Sequence, residues 1–287
     1  MKRLFSFFVL GGVFVFTGAL RAGSALGVGE VLTYKVGWGI FTGAGEIKIT
    51  GVAEDPAKDG KPRIKVVTTT ATRGFARAIL PFDAKAEAIF DLQSGHLITT
   101  TETTKSSDRE TKQSLVFDYD KSEATYTNPG KADSPKTLKM PPGDPVDLIM
   151  SLVQTRYWEM KPGDKRDALV IFGDEFYEIT LHAEKYEELK TSFGSFKTLV
   201  LVPRMEKGPP KGMFKRGSAV RVWISQDERH LPVKFQVEFK FGAGVATLIR
   251  YEPPADPPKT EDKDKNTDAP KKEEAKPAEP DAKNPRP

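Results

Sequence analysis

The sequence predicts an all-β fold with one helix, in which a curved antiparallel sheet, or half-open β-barrel, holds the helix against its concave side. Apolar and polar residues alternate with period two along much of the chain, as they do in strands with one buried face. Turn-forming pairs such as Asp59-Gly60 and Ser94-Gly95 separate these runs. Only one stretch has convincing helical spacing, so the strands are expected to be antiparallel with short connections.

The clearest predicted strand covers 231–240, where every second residue is apolar and the residues between them are charged or polar. β-branched side chains fit a pleated sheet better than a helix, so threonine-rich stretches also indicate strands. On these two criteria, further strands are expected at 32–38, 66–72, 97–104, 115–119 and 220–224.

The predicted helix covers 145–158. Asp144 is placed to cap its amino terminus, and Pro145 suits the first helical position because its missing N–H would have no partner there. Lys161-Pro162-Gly163-Asp164 should end the helix and turn the chain. The apolar residues with helical spacing are Leu148, Ile149, Leu152 and Val153.

The two ends differ from the body and divide the chain into three parts. Lys2 and Arg3 precede an apolar run and a small-residue stretch ending at Ala25, which predicts a signal peptide over 1–25 and secretion to the periplasm. An uncleaved membrane anchor is the alternative interpretation of this run. Residues 26–252 are expected to form a single β-rich domain. The tail over 253–287 has nine prolines and no aromatic residue, which predicts a disordered spacer or a weak cell-wall contact.

Composition excludes several classes of protein. The chain has 44 Lys and Arg, 40 Asp and Glu, and no cysteine. Three of the basic residues lie in the predicted signal peptide, so the exported part would carry about one net positive charge, which does not indicate a nucleic-acid-binding protein. The lack of cysteine excludes disulfides and thiolate chemistry, so the core must hold the fold together without covalent links.

Motifs for catalysis, nucleotide binding and metal binding are missing from the sequence. It has no G-x-S-x-G elbow, H-E-x-x-H pair or phosphate-binding loop. His96, His182 and His230 are scattered without a second ligand at metal spacing, so we expect neither a metal nor another cofactor. The sequence therefore predicts a protein that is not an enzyme. An uncharacterised hydrolase remains an alternative, with carboxylates at Asp83, Glu87 and Asp118.

Two sets of residues are candidates for binding. Four aromatic residues lie beside the predicted helix or on apolar strand faces, and they could line an apolar pocket or simply form core. They are Trp38, Tyr157, Trp158 and Trp223. Five cations in one loop could contact an anionic group, or could simply keep a long hairpin tip hydrated. They are Arg204, Lys207, Lys211, Lys215 and Arg216. Met213 and Phe214 in the same loop add an apolar tip suited to a membrane surface.

Several segments together, in order and spacing, resemble the bacterial secreted family catalogued as domain of unknown function 3108. The resemblance covers 29 to about 251. It implies a secreted envelope protein with one continuous domain, an architecture similar to periplasmic lipoprotein carriers, and no catalytic residues. The segments include Thr33-Tyr34, Trp38, Phe117-Asp118, Lys161-Pro162-Gly163-Asp164, Val222-Trp223-Ile224-Ser225 and Leu231-Pro232-Val233.

The leading hypothesis is a non-enzymatic periplasmic protein that binds an apolar or amphipathic, lipid-like envelope ligand in the concavity of its sheet. The aromatic residues would line the concavity, and the basic loop would lie near its mouth. The alternative from another class is an envelope scaffold or accessory factor that binds another protein through its surface and tail. Peripheral contact with a membrane or the cell wall is compatible with either hypothesis.

Overall fold

The computed structural model describes residues 26–39, 41–55, 60–211, 214, 220–239 and 242–255. The predicted signal peptide and the predicted tail beyond Ala255 lie outside these residues. No helix in the described part of the chain is long and apolar enough to cross a lipid bilayer.

The described residues form fifteen strands, two short α-helices and a 3-10 turn. In chain order these are β1 (Val31–Trp38), β2 (Phe41–Glu54), β3 (Arg63–Thr72), α1 (Gly74–Ile79), β4 (Phe82–Asp91), β5 (Leu97–Ser106), β6 (Arg109–Asp118), β7 (Glu123–Thr127), β8 (Lys136–Lys139), β9 (Pro145–Asp147), α2 (Leu148–Val153), the 3-10 turn (Gln154–Tyr157), β10 (Lys165–Phe172), β11 (Glu175–Lys190), β12 (Ser195–Arg204), β13 (Val220–Ser225), β14 (Pro232–Phe239) and β15 (Gly242–Glu252).

All fifteen of these strands belong to one sheet, in the order β8-β7-β6-β5-β4-β3-β2-β1-β15-β14-β13-β12-β11-β10-β9. Apart from β8 and β9, which lie at opposite edges, strands that are neighbours in sequence are neighbours in the sheet, and β1 pairs antiparallel with β15, which joins the first and last strands at its centre. This single curved sheet confirms the predicted fold class. One detail differs, because β9 pairs with β10 in parallel. The chain crosses from β8 at one edge of the sheet to β9 at the other. From β9 it continues through α2 and the 3-10 turn, and this connection lets β10 run in the same direction as β9.

The helix predicted over 145–158 is wrong at its start. Pro145 belongs to β9, where it pairs with Leu169, and α2 begins only at Leu148. Its cap is Asp147, whose side chain accepts hydrogen bonds from the backbone N–H groups of Ile149 and Met150, both at 2.9 Å. A carboxylate at this position satisfies N–H groups that have no partner within the helix. The α1 helix, between β3 and β4, was not predicted.

Buried side chains form two apolar clusters, and α2 contributes to both. The larger cluster joins residues of β1–β8 to residues of β12–β15, and it includes Met150 and Val153 of α2. The smaller cluster comes from β10–β13, with Leu148 and Leu152 of α2 packed against it. These apolar contacts of α2 hold the segment β9-α2-β10 against the inner face of the sheet. Displacing α2 would expose apolar surface in both clusters.

A buried ion pair fixes the end of this segment. Arg156 in the 3-10 turn donates a hydrogen bond to Glu30 at 2.5 Å, and both side chains are at most 6% exposed. Arg156 also donates to the carbonyl oxygen of Arg229 at 3.1 Å, and Glu30 accepts from the backbone N–H of Gly27 at 2.8 Å. The pair thus links the turn after α2 to the start of β1 and to the β13–β14 turn.

Candidate functional site

A cavity of about 210 Å³ lies between the inner face of the sheet around β3–β6 and the segment β9-α2-β10. Its sheet side is made mostly of alanine and threonine, and its helix side is made of larger apolar residues. The sheet side includes Val66, Thr68, Thr70, Ala84, Ala86, Ala88, Thr100 and Leu115, and the helix side includes Asp147, Leu148, Ile149, Ile171 and Phe172.

The cavity exists because the inward side chains become smaller along each strand. In β4 they change from Phe90, which is buried, to the alanines Ala88, Ala86 and Ala84. In β3 they change from Ile64 to threonines. The register pairs Ala86 with Thr68 on one side and with Glu102 on the other, so the small residues meet across strands. One end of the concavity is therefore filled by core, and the other is left open.

Glu102 projects into this open part from β5 and is held in a hydrogen-bonded network. Its carboxylate accepts from the Gln113 amide at 2.6 Å and from the Thr104 hydroxyl at 3.3 Å. Gln113 in turn accepts from the Tyr126 hydroxyl at 2.9 Å, and that hydroxyl accepts from the Asn128 amide at 3.0 Å. These contacts orient the carboxylate and leave it without a cationic partner among the cavity's lining residues.

Asp147 supplies a second carboxylate, from the helix side of the cavity. Burial raises the pKa of Asp147, and the negative charge of Glu102 raises it further, against the hydrogen bonds from Ile149 and Met150 that lower it. The described lining residues contain these acidic groups together with Glu87, and no Lys, Arg or His. A ligand group that donates hydrogen bonds or carries positive charge would therefore be favoured at this end of the cavity.

A second, wider cleft of about 520 Å³ lies beside the β3–β4 connection. The two share Thr70 and Ala84. The cleft is charged, and its lining includes Arg73, which pairs with Glu46 at 3.1 Å. The side chains that line it, among them Thr69, Asp83, Lys85 and Lys105, alternate along β3–β5 with those that line the cavity, so the cleft lies mainly on the opposite face of the sheet.

Comparison with known proteins establishes the family. The profile of a family described as a protein of unknown function, DUF3108, matches residues 33–249. The chain belongs to this family. The match covers most of the sheet described above and confirms the resemblance found in the sequence. No curated protein matches this DUF3108 chain at a significant level.

Several solved structures align with this DUF3108 chain. A beta-barrel-like protein of domain of unknown function DUF1849 from Brucella abortus is 8% identical, with 79% of this chain and 98% of that chain covered and a TM-score of 0.50. A DUF1089 family protein from Pseudomonas aeruginosa is 13% identical over 64% of this chain and 87% of that one, with a TM-score of 0.34. The lipoprotein LppX of Mycobacterium tuberculosis is 13% identical over 80% of this chain and 90% of that one, with a TM-score of 0.23. The first of these shows a barrel-like fold for the DUF3108 chain.

The four aromatic candidates of this DUF3108 protein lie apart, and none of them lines the 210 Å³ cavity. Trp38 is 42% exposed at the end of β1, and Tyr157 is exposed beside the guanidinium of Arg156. Trp158 contacts Arg166 and lines a separate cleft of about 280 Å³. Trp223 is buried, and its indole N–H donates to Glu187 at 3.3 Å. A ligand-binding role for any of the four stays a prediction.

The described cations of the predicted basic loop are each close to an acidic residue. Arg204 pairs with Glu184 at 2.8 Å, and Lys207 pairs with Asp167 at 2.7 Å. Lys211 lies 3.6 Å from Glu175, and its ammonium group is 4.8 Å from the ring centre of Tyr177. Lys215 and Arg216 lie outside the described residues. Contact of this loop with an anionic group stays a prediction, as does membrane contact through Phe214, which packs against the smaller apolar cluster.

The structure does not bring the three carboxylates of the hydrolase alternative together as an acid–base site. Asp83 pairs with Arg77 at 2.7 Å, Glu87 with Lys85 at 2.8 Å and Asp118 with Lys121 at 2.6 Å. Each cation holds the pKa of its carboxylate below the usual range. The described residues hold no group of three or more His, Asp or Glu placed to bind a metal.

Sequence reasoning missed Glu102 and Asp147. The signal for Glu102 was available, because it is the one acidic residue among the threonines of 99–104, at the inward phase of a predicted strand. Asp147 was assigned to the interior of a predicted helix. Its meeting with Glu102 depends on the crossing from β8 to β9, which local sequence does not reveal.

Proposed function

We propose that this chain is a non-enzymatic exported protein that binds a small amphipathic molecule in the cavity beneath α2. The supporting observation is the cavity itself: its walls are apolar residues and threonines, and two carboxylates oriented by hydrogen bonds line it, one from the sheet side and one from the helix side. Ligand sites commonly combine an apolar enclosure with a few convergent polar groups. The carboxylates that could have supported hydrolysis are instead paired with neighbouring cations.

The size of the cavity limits the ligand. A volume of 210 Å³ is about seven times the roughly 30 Å³ that one water molecule occupies in the liquid. It is also smaller than the roughly 300–1,000 Å³ of pockets that enclose drug-sized ligands. A methylene group is similar in size to a water molecule, so the cavity can hold a chain of about six carbons or one ring. It would accept the apolar end of an amphiphile rather than two full acyl chains.

The charge of the cavity defines the polar end of the ligand. Because Glu102 and Asp147 line it without a cation beside them, a carboxylate or phosphate inside it would be repelled. An amine would be attracted, and a hydroxyl could donate to either carboxylate. The proposed ligand class is therefore an amphiphile with an amine or hydroxyl near its apolar segment.

The proposed location is the periplasm, in agreement with the basic and apolar segments before Ala25. In that compartment the ligand would come from the cell envelope. The absence of cysteine is compatible with export, since the buried apolar clusters and the Glu30–Arg156 pair can hold the sheet without disulfides.

An NMR titration with three six-carbon probes tests this function. Hexylamine should bind most tightly, hexanol less tightly and hexanoate least, and the shifted resonances should include Ala84, Ala86 and Thr100. Glu102→Gln keeps the shape of the side chain and removes its charge, so it should reduce the preference for the amine over the alcohol, with Asp147 accounting for what remains. Equal binding of all three probes, or shifts confined to residues outside the cavity, would contradict the proposal.

A further inference from the structure

Five large apolar side chains are exposed together at the end of the sheet where the polar cleft opens. We propose that this apolar rim docks on the surface of a phospholipid bilayer. The rim consists of Trp38, Phe41, Phe75, Ile79 and Leu80, whose exposed fractions run from 42% to 68%. This proposal concerns an interaction surface and does not require that the cavity bind a ligand.

The rim is continuous across three chain segments. Trp38 and Phe41 are partners across the β1–β2 hairpin. The ring of Phe41 stacks with the ring of Phe75 on α1, with centres 6.2 Å apart. Ile79 lies four residues after Phe75, which places both on the same side of the helix, and Leu80 follows at the end of α1. The five side chains therefore form one patch.

The α1 helix is held to the sheet by polar contacts and buries none of its residues. The Thr72 hydroxyl donates to the carbonyl oxygen of Leu80 at 2.8 Å, and Arg77 donates to the carbonyl oxygen of Phe82 at 2.9 Å. Arg77 also pairs with Asp83 at 2.7 Å. This arrangement reverses the usual one, in which a helix turns its apolar side chains toward the core. Core stability therefore does not explain the apolar residues of α1.

The size and chemistry of the rim favour a bilayer over a protein partner. Fully buried aromatic side chains cover roughly 150–250 Å² each, so the exposed parts of these five residues present roughly 500 Å². That is enough to mark an interaction site, but it is below the roughly 800 Å² that each partner contributes to a standard protein interface. Tryptophan and phenylalanine beside a hairpin turn and on a short helix match the residues enriched where proteins meet lipid headgroups.

The charges near the rim fit a bilayer surface of low net charge. Arg73 is paired with Glu46, and Arg77 is paired with Asp83. Binding should therefore depend mainly on apolar insertion and weakly on salt.

Flotation with vesicles of phosphatidylethanolamine and phosphatidylglycerol tests the docking, with the processed protein purified from the periplasm of an expressing bacterium. The double variant F75D/I79D should lower the partition coefficient at least tenfold, because both side chains are exposed and the fold does not depend on them. The matched control Val116→Asp changes a side chain that is 54% exposed on β6, and it should leave partitioning within twofold of wild type. Raising the salt concentration from 0.1 to 0.5 M should change partitioning less than threefold.

A second measurement tests whether the rim binds a second copy of the chain instead of a bilayer. Sedimentation equilibrium of wild type and F75D/I79D should show the same monomer mass in the absence of vesicles. Self-association that the double variant abolishes would assign the rim to a second copy of the chain and overturn the proposal. Wild type that fails to float, or a Val116→Asp loss equal to the F75D/I79D loss, would also overturn it. F75D/I79D should bind hexylamine as wild type does. Loss of vesicle binding therefore tests the rim, and loss of hexylamine binding tests the cavity.

Discussion

Replacing Ala86 with leucine tests whether the cavity has unfilled volume beside β4. Ala86 lies at the centre of β4 and is partnered by Thr68 and Glu102, so a longer side chain at this position extends into the cavity. Leucine adds three carbon groups of roughly 30 Å³ each, or roughly 90 Å³ in all. That addition would fill nearly half of the 210 Å³.

The expected effect on stability follows from this volume. Filling empty apolar space recovers roughly 24 cal/mol per Å³, which sets an upper limit of about 2 kcal/mol for the added leucine atoms. Part of the cavity faces carboxylates and threonines that water can hydrate, so we expect a gain of about 1 kcal/mol. In a chain of this size that gain raises Tm by roughly 2–4 °C. The same side chain should weaken hexylamine binding at least tenfold, because the remaining volume no longer holds six carbons.

Thermal and urea unfolding measure the first effect, and an NMR titration measures the second. Ala53→Leu is the matched control, because Ala53 is exposed on β2 and the chemical change is identical. It should alter the free energy of unfolding by less than about 0.5 kcal/mol and leave binding unchanged. Destabilisation by Ala86→Leu of more than about 1 kcal/mol would indicate overpacking and refute the argument from volume.

Three further predictions concern the ion pair, the helix cap and the basic loop. Arg156→Met should lower the free energy of unfolding by about 3–5 kcal/mol because it leaves Glu30 buried without a cationic partner, and adding Glu30→Gln should restore part of the loss in urea unfolding. Asp147→Ala should cost about 0.5–2 kcal/mol through loss of the cap, whereas Asp147→Asn keeps an accepting oxygen. Because the pKa of Asp147 is raised in the folded protein, its own contribution to stability should fall as pH rises above about 4, so the stability of wild type relative to Asp147→Asn should decrease in unfolding measured from pH 4 to 7. Lys207→Ala and Lys211→Ala should leave hexylamine binding unchanged in the NMR titration, and a tenfold loss would assign the basic loop to the binding site.

The fold class could be predicted because alternation of apolar and polar residues is a local property. The inward positions of β14 follow directly from it, whereas β4 was not among the predicted strands. The sheet order could not be predicted, because the pairing of β1 with β15 joins residues about 200 positions apart and has no local signature. Helix boundaries failed for a related reason. Pro145 and Asp144 form a good local start signal, but the pairing of β9 with β10 places Pro145 in a strand and leaves Asp147 as the cap.

The candidate site was harder to predict than the fold. The aromatic residues were predicted to line a pocket because they are large and apolar. The cavity instead lies where the inward side chains are small. The alanines of β4 mark the cavity only once the register sets them opposite threonines of β3 and β5. The polarity of the site depends on Glu102 and Asp147, which come from elements that meet only through the crossing between the sheet's two edges.

The most direct test of the account is native mass spectrometry of the protein purified gently from the periplasm of its own host, followed by organic extraction and analysis of the bound fraction. We expect one co-purifying amphiphile per chain in wild type, with an amine or hydroxyl group near a short apolar segment. Ala86→Leu should carry much less of it, and Ala53→Leu should carry the same amount as wild type. Wild-type protein that is free of ligand and also fails to bind hexylamine would contradict the central claim.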